Sequence, residues 1–228
     1  VYRLQAAQTY HKPMLEISDI ERFVGKTQIL GLGYGMGAPK FVATLALGTL
    51  GPPLEISLDQ GYQWVNAYRE TNDKIVKGWR FLDNVLAQMA LGKSGEYKCF
   101  AWEGSTVWLP NGLPLIYDGL RLTEQPNGRY QVSYVGNRNG KRTDIWGGAF
   151  NENWMQSISR YVIGVQKLLI IDAGWRVVGS THDEIISIAP KNQAERCLDE
   201  MIQAMRHVPK AVQGAPLDAE GSFATNYS

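Results

Sequence analysis

The 228 residues contain only two cysteines, Cys99 and Cys197. That number excludes a disulfide framework, their separation excludes a zinc-ribbon spacing, and scarce thiols suit a reducing cytoplasm. No apolar run is long enough to cross a bilayer, no signal peptide is visible, and no membrane role is expected. Excess charge is missing too. The net charge is +1, so contact with nucleic acid would have to come from local clusters, not from a basic field over the whole chain. No internal repeat or low-complexity segment occurs. What remains is an ordinary globular composition, 44% hydrophobic and 20% charged, with enough residues for one large domain or two small ones. Val1 opens the chain inside a helical pattern, and sequence ahead of it is expected.

The most structured stretch is Ser18–Gly37, SDIERFVGKTQILGLGYGMG. Ser18 with Glu21 three residues on is a capping box, which satisfies two backbone N–H groups of a first helical turn. At 100° per residue Ile20, Phe23, Val24, Thr27 and Gly31 share one side, and Arg22, Lys26 and Ile29 share the other. Two cations one turn apart, near a helix start whose dipole is positive, suit a polyanion such as a triphosphate. A Lys/Arg pair at this spacing is usually a solvated face. Glycines at 31, 33, 35 and 37 then end the helix and admit a close neighbour. A rival reading takes Gly33–Ala38 as a G-x-G-x-x-A dinucleotide fingerprint with Glu55 as its acid, and it needs TQILGLG to be a strand.

Along the rest of the chain, helices are expected at 2–10, 39–50, within 57–91 as a pair, at 151–172 and at 193–206. Tyr97–Trp102, Thr106–Leu109, Tyr130–Val135 and Lys141–Ile145 alternate as strands, with Asn111-Gly112 as a hairpin turn. Trp175–Ser180 and Glu184–Ile188 make a last ribbon around Thr181-His182-Asp183, and the tail is an extended arm. A carboxylate pair at such a tip points into open space on rigid neighbours, as a magnesium site needs, although an Asp-Glu turn is usually only solvated.

Arg22-x3-Lys26-x7-Tyr34-Gly35 resembles the fingers-helix signature of family A DNA polymerases, and His182-Asp183-Glu184 resembles that family's palm motif in the expected order. Glu152-Asn153-x-x-Gln156, the Leu109-Pro110-Asn111-Gly112 turn and the 214–221 tail resemble its phage branch. The resemblance implies an α+β chain. Residues 1–148 would be helical fingers with a β-rich insertion at about 96–148, and 149–228 the C-terminal part of the palm. It implies that Arg22, Lys26, Leu30, Tyr34 and Tyr2 bind the dNTP, and that Tyr34, Gly35, Gln156 and His182 meet DNA. It also implies that Asp183 and Glu184 hold magnesium, with two ions in the complete enzyme, and that catalysis rests on Asp183, Glu184 and Lys26. The expected partners are primer-template DNA and dNTPs, in the cytoplasm of a bacterial or phage-infected cell.

The sequence departs from that pattern at three places. Tyr2 stands where the family usually has His; its hydroxyl can reach a phosphate but carries no positive charge. Leu30 replaces an aromatic residue, and Leu113-Pro114 follow a turn after which arginine is common. The family's other catalytic motif, D-[YF]-S-x-x-E, is absent from these 228 residues. The chain is therefore expected to be inactive or nearly so alone, and to need an upstream palm and thumb segment in the same or a second chain. The competing outcome is a degenerate remnant that only binds nucleic acid. A missing palm strand would also leave an apolar face, so self-association is expected.

Overall fold

A computed structural model describes residues 1–136 and 140–226. Residues 137–139, within the expected Gly136–Gly140 connection, and residues 227–228 lie outside the described residues. The fold is mixed α and β: seven α-helices and three antiparallel sheets among the described residues. Its contacts divide it into two compact units, 1–91 with 118–152, and 92–117 with 153–228.

The first unit begins with α1 (Tyr2–Tyr10) and α2 (Asp19–Thr27), the latter started by the Ser18/Glu21 capping box with both reciprocal bonds made. The two helices touch backbone to backbone at Gly25, where a Cβ would lie 2.2 Å from the Tyr2 carbonyl oxygen and 2.9 Å from the Ala6 nitrogen. Only glycine allows that approach. After Thr27 the coil widens into a π-turn, Gln28–Leu32, before the glycine loop. The expected faces are corrected accordingly. Phe23, Val24, Thr27 and Gly31 are buried, but Ile20 at the helix start is exposed. Ile29, expected beside the cations, packs on the core because the wider turn rotates its residues away from the α-helical register.

Then come α3 (Ala38–Leu47), α4 (Leu58–Thr71) and α5 (Asp73–Ala90). Phe41, Leu45, Val65 and Tyr68 meet Phe23, Val24 and Leu32 in one core cluster. Thr27–Leu32 is helical and Gly33 begins a turn, so the strand that the dinucleotide reading needs is not there.

The expected strand Tyr97–Trp102 is corrected to two. β1 (Ser94–Tyr97) and β2 (Phe100–Glu103) are divided by a turn in which Lys98 takes a φ of 54°. With β3 (Thr106–Trp108) and β4 (Pro114–Ile116) they make a four-stranded meander in the second unit. Asn111-Gly112 turns between β3 and β4, with Gly112 at φ 77°. β5 (Arg121–Glu124), unforeseen in the sequence, pairs with β6 (Tyr130–Val135), which pairs with β7 (Arg142–Ile145). This sheet belongs to the first unit and packs on α5.

The long helix α6 (Gly147–Asp172) starts four residues ahead of the expected 151, so Glu152 does not open it. The start lies at Gly147 because its N–H donates to the Asp83 carboxylate at 2.6 Å, a cap supplied from α5. In the second unit, β8 (Arg176–Thr181) and β9 (Glu184–Ile188) pair, and α7 (Ala194–Arg206) follows. Ile163, Ile170, Trp175, Ile185 and Cys197 close its core. Trp175 donates its indole N–H to Glu200 at 2.7 Å, and Phe100 stacks on Trp154 with centroids 3.9 Å apart. Arg206 pairs with Asp218 at 2.7 Å, tying the extended tail to the end of α7.

Candidate nucleotide and metal site

The residues singled out in the sequence fall in both units. Tyr2, Arg22, Lys26, Leu30, Tyr34 and Gly35 lie in the first; Gln156, His182, Asp183 and Glu184 lie in the second.

On α2, Arg22 is exposed and makes no ion pair among the described residues. Its guanidinium lies over the Tyr2 ring, 5.6 Å from the centroid. Lys26, one turn on, is half-buried and donates to the Leu50 carbonyl at 3.4 Å. The anions of the first turn are engaged elsewhere. Asp19 pairs with Arg3 at 3.1 Å, and Glu21 with Lys12 at 2.5 Å. The Lys12 contact, with the Ser18 backbone bond, pulls the Glu21 carboxyl down to about 2. Arg22 thus keeps its guanidinium N–H groups for an incoming acceptor.

Leu30, on the π-turn, is 41% exposed. Tyr34 stands in the loop beyond, half-buried; burial first and the Glu152 carboxylate second raise its phenol above the usual range. The loop is held by two tryptophans. Trp79 on α5 donates its indole N–H to the Gly33 carbonyl at 3.1 Å. Trp146 lies edge-on to Trp79, with centroids 5.7 Å apart and planes at 73°. Its ring occupies the space a Cβ on Gly35 would need, the nearest carbon falling 1.9 Å away. Gly35 also has a φ of 85°, a conformation glycine tolerates and other residues resist. Sequence reasoning placed Trp79 on a core stripe and passed over Trp146 and the effect of Glu152 on Tyr34. An indole beside a glycine loop was the only signal, and it has no fixed spacing.

In the second unit the tip between β8 and β9 holds three of the expected residues on adjacent positions. Thr181 pairs with Glu184, and His182, at φ 52°, turns the chain so that His182 and Asp183 occupy the bend. All three residues of the His-Asp-Glu string are exposed. Two neighbouring carboxylates are oxygen donors of the kind magnesium takes, and that ion normally keeps several waters. Among the described residues no group of three His, Cys, Asp or Glu gathers to hold a metal. Asp183 and Glu184 would supply two oxygen ligands to such an ion, and water or phosphate would have to supply the rest. Gln156 stands exposed on α6, one turn beyond Glu152; Asn153 between them donates to the Tyr117 hydroxyl at 3.1 Å. No helix among the described residues is long and apolar enough to cross a membrane.

No protein-family model matches the chain. The whole chain matches a DNA polymerase of Bacillus phage SP02 at 29% identity, and it spans 36% of that protein. In three dimensions 92% of the chain overlies 32% of the POL domain of Pol1 from M. smegmatis, solved in complex with DNA primer-template and dNTP. The TM-score is 0.55 and the identity 16%, which is a likeness of fold. Both matches are thus to DNA polymerases, one in sequence and one in fold. The chain spans about a third of the curated relative it matches.

Proposed function

We propose that this chain is the fingers and C-terminal palm portion of a template-directed DNA polymerase. Residues 1–148 act as fingers and 149–228 as palm; the 96–148 insertion begins with β1–β4, which pack among the C-terminal elements. The observation that carries the reading is α2: a capped helix presents Arg22, which makes no ion pair among the described residues, with Lys26 one turn on, and the glycine loop bearing Tyr34 comes next.

Arg22 and Lys26 bind the triphosphate of a dNTP and stabilise the charge that grows on it during transfer. Lys26 leaves the Leu50 carbonyl to do so. Leu30 packs against sugar and base with bulk but no aromatic edge. Tyr34 and Gly35 stand beside the template base, and Gln156 and His182 meet the DNA near the primer end. Asp183 and Glu184 hold magnesium. An ion held there would supply Lewis acidity toward a primer 3′-hydroxyl and countercharge for the pyrophosphate.

A second bridging carboxylate comes from outside these 228 residues, in the same or a second chain, so the chain alone is inactive or nearly so. Its setting is the cytoplasm of a bacterial or phage-infected cell. The test is extension of a primed template with magnesium and dNTPs. Extension is expected when a segment carrying D-[YF]-S-x-x-E is added, but not from the chain alone. Asp183→Ala should lower it by about a hundredfold or more, the scale of losing a principal transition-state stabiliser. No extension from an assembled, template-bound mixture would sink this reading and favour a remnant that only binds nucleic acid.

A further inference from the structure

We propose that Tyr2 is a positioning residue for Arg22, acting through its ring and not through its hydroxyl; the proposal rests on the nucleotide-binding reading of α2. Three observations carry it. The Arg22 guanidinium lies over the Tyr2 ring at 5.6 Å, within the range of a cation–π attraction. No carboxylate among the described residues pairs with Arg22, so that ring is its partner in the fold. The ring is also placed by the backbone. Gly25 lets α1 and α2 meet so closely that the Tyr2 carbonyl fills the space of a side chain three residues beyond Arg22. Arg3, the next residue, ties α1 to the start of α2 through the Ile17 carbonyl and Asp19.

An arginine on an exposed helix face loses rotamer freedom when it grips a phosphate. A ring face attracts the cation before the ligand arrives, yet supplies no acceptor oxygen, so the N–H groups remain for the phosphate. A carboxylate in the same place would hold the side chain too but would compete with the ligand. At this position the ring brings no charge of its own and acts by setting Arg22.

The role of ring or hydroxyl is separated by Tyr2→Phe and Tyr2→Leu, read against Arg22→Ala in calorimetric titration of the full chain with inorganic tripolyphosphate. Thermal melts accompany each variant to confirm folding. Arg22→Ala is expected to weaken binding about tenfold, the scale of a charge-assisted contact. Tyr2→Leu should weaken it about threefold or more, on the scale of a cation–π contact, and Tyr2→Phe should stay within about twofold of the parent. Upfield ring-current shifts of the Arg22 side-chain protons should persist in Tyr2→Phe and vanish in Tyr2→Leu. If Arg22→Ala binds like the parent, the nucleotide reading of α2 falls and takes the proposal with it. If Arg22→Ala loses binding while Tyr2→Leu does not, or while Tyr2→Phe loses as much as Tyr2→Leu, the proposal alone is overturned. Equal loss in both Tyr2 variants would point to the hydroxyl as a phosphate ligand.

Discussion

Gly35 is held by two independent constraints, a φ of 85° and the Trp146 ring in the place of its side chain. Gly112 shares only the first; at φ 77° a Cβ there would meet open space. Comparing the two separates backbone strain from collision. Gly112→Ala should cost about 1–2 kcal/mol, on the scale of one residue forced into the left-handed region. Gly35→Ala should cost about 3 kcal/mol or more, since the indole must also move within a packed site. Urea unfolding of both variants checks this, and equal losses would mean that Trp146 yields freely. At this scale the sequence was legible wherever chemistry is local. Ser18 and Glu21 are three residues apart, and the His182–Glu184 turn is contiguous, so both were found. The Tyr2–Arg22 stack and the Trp146–Gly35 contact join residues 20 and 111 positions apart, and no spacing rule connects them.

The start of α2 is an element whose stability should depend on pH. The Glu21 carboxyl, drawn to about 2 by Lys12 and Ser18, ionises more readily folded than unfolded. Its contribution is present above the ordinary carboxylate range near 4.5 and is lost as pH falls toward about 2. The Tyr10 phenol, pushed up to about 12 chiefly by burial and then by Glu21, has the opposite sense. Its contribution is complete below pH 10 and is lost as pH rises toward about 12. Melting temperature should therefore decline at both ends of the range. Glu21→Gln should make the acid limb shallower and leave the alkaline limb sloping. Asp73, Glu200 and Asp218, whose carboxyls are also lowered by their cationic partners, should keep part of the acid slope. An unchanged acid limb would remove Glu21 from this role. Elements with strong periodicity or a signalled end were readable, such as α5, α7 and the β8–β9 hairpin. The β-rich section was only half readable. β1, β4 and β5, of four, three and four residues, went unread although β3 and β7 are equally short and were read, so alternation over runs this short is an uneven guide. The start of α6 depends on Asp83 from another helix, and a cap supplied from a distance leaves no local mark.

For the whole molecule, the β8–β9 sheet has only two strands among the described residues, and Ile188 on it is 59% exposed. Two-stranded ribbons are weak alone, and open apolar edges invite another chain. The chain by itself should associate with rising concentration in sedimentation velocity, and Ile188→Lys should reduce that association. A single species at every concentration would show that the edge is protected.

The tryptophan pair beside the glycine loop has a consequence for how this molecule can be watched. Two indoles 5.7 Å apart and tilted by 73° couple their transition dipoles, and one of them is bonded to the loop backbone at Gly33. The loop thereby carries an intrinsic optical marker, and circular dichroism in the aromatic bands registers a change in its position without any added label.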